Sequence, residues 1–249
     1  MIPSNYHTHT CFCDGKHTPE EMVLEAIRLG CPEIGFSGHS YTFFDESYCM
    51  TRENTKAYIA AVKEAREKHG DRIKVWLGIE QDYYSEESTQ GYDYVIGSVH
   101  YVKKDGCYLS VDHSKEIQIK NVQQFYGGDY YGFIEDYYET VADVYRKTRC
   151  QIIGHFDLVT KFNQAGDLVD TKNPRYQAAA QKALTALLDA DAVLEVNTGA
   201  ISRGYRDDPY PARDIIDRWR AAGKKIIFSS DCHSKDHILF GYDLYQALL

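Results

Sequence analysis

The sequence predicts an α/β fold in which parallel strands alternate with helices and close into a barrel. Two observations carry that expectation. Short runs rich in β-branched and aromatic residues recur between helical stretches, the pattern of parallel strands joined by crossover helices. Ionisable residues follow nearly every such run, and in a closed parallel barrel those strand ends converge on the rim where active sites are built. With 249 residues, 43% hydrophobic and 26% charged, the chain can bury a core of that size. No Pro-, Gly- or Ser-rich linker, low-complexity block or fixed-period repeat interrupts it, so a single domain over residues 1–249 is expected.

Seven strands are expected, at residues 4–7, 33–37, 73–79, 94–99, 151–155, 192–197 and 225–230. The first helix opens on Thr18-Pro19-Glu20-Glu21, a capping box with proline in the first turn, and turns Met22, Ala26 and Ile27 to one face before Gly30 closes it. Tyr58, Ala61, Val62 and Ala65 form a second apolar stripe. Asn173-Pro174 opens a third helix with Ala180, Leu184, Leu187 and Leu188 inward, and Pro211 precedes another carrying Ile215, Ile216 and Trp219. The stretch 103–149 holds one or two helices with Tyr126, Tyr130, Tyr131, Tyr137 and Tyr138. These tyrosines are expected to pack along an amphipathic helix with hydroxyls toward water, a lid over a pocket being the alternative.

The net charge of −9 and the absence of a long Lys/Arg run argue against nucleic acid as the main partner. The N-terminus lacks a signal-like apolar stretch and nothing downstream has the length of a membrane span, so a soluble, cytoplasmic protein is expected. Oligomeric state is not encoded in any pattern found. Seven scattered cysteines, with no C-x-x-C pair, read as reduced thiols, and Cys11 and Cys13 as bystanders beside a histidine cluster.

The ionisable residues fall in phase with the strands. His7 and His9 end the first, Asp14 follows, His39 comes after the second and Glu80 after the third. His100 follows the fourth, His155 ends the fifth, and Asp231 and His233 follow the last. In His7-Thr8-His9 the two-residue period turns both imidazoles to one side, and Asp231-Cys232-His233 repeats that spacing. Six histidines and three carboxylates exceed the needs of one ion, so two to three divalent ions of zinc, manganese or iron are expected, with Glu80 suited to bridge a pair. His17, His69, His113 and His237 lie outside the pattern.

The motifs His7-Thr8-His9-Thr10, Cys13-Asp14-Gly15, Gly38-His39-Ser40, Gly78-Ile79-Glu80, Gly97-Ser98-Val99-His100, Gly154-His155-Phe156-Asp157 and Ser230-Asp231-Cys232-His233 together resemble the PHP (polymerase and histidinol phosphatase) family from end to end. Length, the strand Glu195-Val196-Asn197-Thr198 and the Arg-containing loop after it are most similar to the stand-alone histidinol-phosphatase type. The resemblance implies a distorted seven-stranded (β/α) TIM-like barrel with a trinuclear centre at the C-terminal ends of its strands. One ion would be held by His7, His9, Glu80 and Asp231, a second by Glu80, His100 and His155, and a third by Asp14, His39 and His233. It also implies phosphate-binding basic residues, for which Arg203 is the first candidate, Arg206 the alternative if the loop register slips, and Lys161 the basic residue after the His155 motif.

The expected activity is hydrolysis of a small phosphate monoester, L-histidinol phosphate on the family likeness, by a hydroxide made available at neutral pH by two ions. Glu80, Asp231 and Arg203 are the residues expected to carry it. A phosphoesterase acting on nucleotides or DNA 3′ ends is the rival of the same chemistry, and a catalytically silent metal-binding module the rival of another class.

Overall fold

The computed structural model describes residues 4–248, so Met1, Ile2 and Pro3, part of the N-terminal stretch read for a leader, lie outside it. In chain order the elements are α1 (Pro19–Arg28), β1 (Glu33–Phe36), α2 (Arg52–His69), β2 (Lys74–Asp82), β3 (Tyr94–Ser98), β4 (Tyr101–Lys104) and β5 (Cys107–Ser110). There follow α3 (Lys115–Tyr126), α4 (Tyr130–Thr148), β6 (Ile152–Ile153), α5 (Pro174–Leu187), β7 (Val193–Asn197), α6 (Gly199–Ser202), α7 (Arg213–Ala221), β8 (Ile226–Ser229) and α8 (Tyr242–Tyr245).

Six strands form one curled parallel sheet in the order β1-β2-β3-β6-β7-β8, a half-barrel with helices packed outside it. The strand expected at residues 4–7 is not a regular strand. That segment instead makes isolated parallel bridges, Asn5 to Ile34 on the β1 side and Thr8 to Cys232 just beyond β8, and so joins the two edges of the sheet. Its side chains explain the irregularity. Asn5 donates from Nδ2 to Ser230 Oγ and to the Ile238 carbonyl, and the Thr8 amide donates to Ser37 Oγ, so side-chain bonds replace rungs of the ladder. The strand expected at 151–155 shrinks to Ile152–Ile153, and β2 runs on to Asp82, placing Glu80 inside a strand rather than after it.

The helices form where their caps and stripes direct. Thr18 Oγ1 accepts from the Glu21 amide while Glu21 Oε2 accepts from the Thr18 amide, satisfying two N-terminal donors at once. Met22, Val23 and Ala26 are then buried and Ile27 half-buried. Tyr58, Val62 and Ala65 of α2, Ala180, Leu184 and Leu187 of α5, and Ile215, Ile216 and Trp219 of α7 face the core. Burial of each large apolar side chain contributes on the order of 1.5–3 kcal/mol, which makes these stripes the main adhesive between helices and sheet.

The stretch between β3 and β6 holds a hairpin, β4 paired antiparallel with β5, that the helical reading of it missed. One or two helices were expected and two are present, and the tyrosines do pack on them, but the hydroxyls of Tyr137 and Tyr138 do not face water. Tyr137 Oη donates to the Phe156 carbonyl at 3.2 Å and Tyr138 Oη lies 2.9 Å from Tyr176 Oη on α5. A buried phenol needs such a partner, and α4 obtains it by packing against the segment after β6 and against α5.

Candidate metal centre

All nine expected ligand residues converge at the C-terminal ends of the strands. Glu80 is their hub. Its Oε1 lies 2.9 Å from His155 Nε2 and 3.3 Å from His100 Nε2, and its Oε2 lies 2.8 Å from His39 Nδ1, 3.2 Å from His7 Nε2 and 3.5 Å from His9 Nε2. Asp231 Oδ1 is 3.1 Å from His9 Nε2, and Asp14 Oδ2 is 3.1 Å from His233 Nε2. Donor atoms approach within 4.8 Å of one another in four overlapping groups: His9, Asp14, His39 and His233; His7, Glu80 and His155; His7, His9 and Asp231; and His39, Glu80 and His100.

Local structure brings them there. Gly15 lets the loop after His9 fold back so that Asp14 reaches the cluster, since a Cβ on it would sit 2.5 Å from the His9 backbone. Asp231 adopts a left-handed φ of 47°, which re-aims the chain after β8. Gly199 lies against its carboxylate, where a Cβ would come within 2.7 Å of Asp231 Oδ2.

The atoms are close, yet several make no hydrogen bond. His7 Nε2, His9 Nε2 and Glu80 Oε2 are all buried without a partner, a costly state for groups that only pack. Their nearest polar neighbours are one another, gathered into the overlapping groups above, as donors to a common cation are. The far sides of two rings are bonded. His7 Nδ1 lies 2.6 Å from Glu195 Oε1 and His100 Nδ1 3.1 Å from Asp82 Oδ2, so each carboxylate accepts from Nδ1–H and turns Nε2 toward the cluster. The second Glu195 oxygen accepts from the His155 amide and from Asn197 Nδ2, both at 2.9 Å.

Burial raises the Glu80 and Asp231 carboxyls, but His39 and His7 beside Glu80, and His7 and Arg203 beside Asp231, outweigh it and hold both well below the usual range. Burial lowers His7, and Glu195, Glu80 and Asp231 more than reverse it. His9 is pushed down to about 3 by burial and then by His233 and His39. Anionic carboxylates with a bare imidazole among them are the states in which these groups ligate a metal. The donor set fits divalent transition-metal ions. Cys13 Sγ lies 3.6 Å from His9 Nδ1, but burial and then Asp14 push the thiol up to about 12, so it stays protonated beside the cluster.

A cavity of about 300 Å³ opens onto the cluster and is lined also by Tyr48, Asp112, Lys161, Arg203 and Tyr205. Arg203 Nη1 is 2.9 Å from His233 Nδ1 and Nη2 3.2 Å from Asp231 Oδ2. Lys161 Nζ donates to the Asp112 carbonyl at 2.8 Å. Arg206 is not brought to this cavity. It bonds Thr160 and the Asp208 carbonyl and lines the neighbouring one, so the Arg203 register of the loop is the one that faces the cluster. His113, left out of the sequence pattern, lines the cavity as well.

Glu195 and Asp82 went unassigned in the sequence reading, and both carried a signal. Glu195 is a buried acid flanked by the apolar Leu194 and Val196, and Asp82 lies two residues beyond Glu80, on the same face of β2.

Residues 5–199 match the PHP domain family. The chain belongs to that family. The matched stretch ends before β8, yet Asp231 and His233 close the same cluster. Among PHP relatives, a Deinococcus radiodurans protein named probable histidinol-phosphatase is 28% identical, covering 95% of this chain and 88% of its own. A histidinol-phosphatase of Bacillus subtilis is 24% identical, covering 96% of each chain. The histidinol phosphate phosphatase of Lactococcus lactis, solved with zinc, L-histidinol and phosphate, superposes with a TM-score of 0.72 over 98% of this chain and 91% of that one, at 19% identity. The likeness confirms the fold.

Proposed function

We propose that the protein is a metal-dependent phosphomonoesterase that hydrolyses L-histidinol phosphate to L-histidinol and inorganic phosphate. The observation that carries this reading is Glu80, one buried carboxylate faced by five imidazoles with bare donor atoms between them. PHP family membership and relatives named histidinol-phosphatase support the substrate, and the zinc, L-histidinol and phosphate of the Lactococcus lactis structure support the metal and both products. Two to three divalent ions, of zinc, manganese or iron, would be held by His7, His9, Glu80 and Asp231, by Glu80, His100 and His155, and by Asp14, His39 and His233.

When bound, the ions lower the pKa of a water to about 7 and neutralise phosphoryl charge. The chain's own groups do the rest. Glu195 and Asp82 hold His7 and His100 with Nε2 turned inward. Arg203 offers a guanidinium fork to phosphoryl oxygens as charge redistributes between the ester and the leaving alkoxide, and Lys161 adds a second cation across the cavity. Tyr48 packs on the His39 ring and, with Tyr205, narrows the approach to bulk water.

The test is substrate profiling of metal-replete protein. L-histidinol phosphate should exceed every member of a nucleotide and short-DNA-end panel in kcat/KM. Equal or better turnover of nucleotides or DNA ends overturns the substrate assignment. Absence of any turnover, aryl phosphates included, with zinc, manganese and iron each supplied, replaces the enzyme with a metal-binding module.

A further inference from the structure

A cavity that takes a phosphate ester gains from cations and loses from any carboxylate not engaged by them. Asp112 lines this one, its side chain 25% exposed. Its carbonyl receives Lys161 Nζ at 2.8 Å and its Oδ2 the same ammonium at 3.2 Å. Its Oδ1 makes no hydrogen bond among the described residues and is not among the buried unpartnered atoms, so an anionic oxygen is presented beside a lysine whose partner it already shares. Asp45, the other acid of the outer wall, is spent: Oδ1 accepts from the Ser47 amide and hydroxyl and Oδ2 from Tyr101 Oη at 2.7 Å. Lys161 does not require the carboxylate in order to stay in place, since the Asp112 main chain gives it the shorter bond.

Building on the proposed activity, we infer that Asp112 selects phosphate esters carrying a protonated amine close to the ester oxygen, its Oδ1 accepting from the substrate ammonium while Lys161 faces the phosphoryl group. The pair is then an electrostatic mould of a zwitterion. A neutral or purely anionic ester leaves Asp112 Oδ1 without a donor and is disfavoured. L-histidinol phosphate has this charge pattern, with its ammonium on the carbon next to the ester methylene.

The experiment compares kcat/KM of metal-replete parent and Asp112→Asn on matched esters: L-histidinol phosphate against 3-(imidazol-4-yl)propyl phosphate, 2-aminoethyl phosphate against ethyl phosphate, and 4-nitrophenyl phosphate. A charge-assisted hydrogen bond of this kind predicts that the parent prefers the amine-bearing member of each pair by about 10- to 100-fold. In Asp112→Asn that preference collapses, L-histidinol phosphate turnover falls and 4-nitrophenyl phosphate turnover rises as the repulsion is relieved. An equal loss on all esters makes Asp112 only a holder of Lys161 and overturns the inference, as does a parent indifferent to the amine. If L-histidinol phosphate is not turned over but the aminoethyl preference persists and Asp112→Asn abolishes it, the substrate assignment fails and the selection of amines stands.

Discussion

The cavity at the strand ends, about 300 Å³, lies beside a larger one of about 500 Å³ walled by α5, α7 and residues 163–171, and the two treat charge in opposite ways. The larger holds one buried carboxylate, Asp157, whose Oδ2 accepts from the Ala212 amide at 2.8 Å, and two guanidiniums, Arg206, bonded to Thr160 and lying over Tyr210, and Arg218, bonded to Gln181 and paired with Asp214. Among the buried side-chain atoms of the described residues there, one oxygen, Asp157 Oδ1, lacks a partner. Around the smaller, bare atoms of His7, His9 and Glu80 converge, and the guanidinium, Arg203, reaches the cluster itself. Volume therefore does not mark the site. Convergent, unspent donors mark it, because only they retain bonding capacity for a ligand after the fold has taken what it needs.

Changes paired across the two cavities test that contrast. Glu80→Gln keeps shape and removes the charge that compensates adjacent dications, so kcat should fall by at least about 10³-fold together with metal content, while circular dichroism shows an intact fold. Near-parental kcat under saturating metal would remove Glu80 from the hub. Its counterpart, Asp157→Asn, should change kcat by less than about 3-fold with metal content unaltered, since its bonds are structural.

Next in size is Arg203→Ala. Loss of a guanidinium facing the phosphoryl group should lower kcat/KM by about 10²- to 10³-fold, with elemental analysis unchanged. If Arg206→Ala shows that loss instead, the cavity assignments exchange roles; if neither does, phosphate is held by the ions without an arginine.

Glu195→Gln probes the support beneath the cluster. Replacing a carboxylate that orients a ligand imidazole typically costs about 10- to 100-fold in metal affinity, readable by chelator competition. No change in affinity would reduce Glu195 to a packing residue. The smallest effect is expected for Arg206→Ala, within about 3-fold in activity, with the cost appearing as a modestly lower Tm.

Much of the fold is legible in the sequence. Thr18 to Glu21 announced a helix start by capping chemistry that needs only neighbours in sequence, and Asn173-Pro174 did the same. The hairpin β4–β5 was missed although Asp105-Gly106, with φ of 49° and 80°, is the local signal of its two-residue turn, because Lys103 and Lys104 interrupt any period-two apolar pattern before it. The segment at residues 4–7 was read as a strand because its local pattern is a strand's, whereas Asn5 and Thr8 spend their bonds on partners more than twenty residues away.

The sequence alone picked out the nine residues that the structure brings together, for strand period and chemical type are local properties: His7 and His9 share a side because alternate residues do, wherever the strand lies. It also placed Arg203 in a loop of the right kind. Only the tertiary structure separated Arg203 from Arg206, three residues apart, since which cavity each enters depends on the path of the chain between β7 and α7. Only it revealed Glu195 behind His7 and Asp112 beside Lys161, pairs 188 and 49 residues apart. A residue's partner across the sheet is set by closure of the sheet and packing of its helices, and neither leaves a trace in the residues adjoining it.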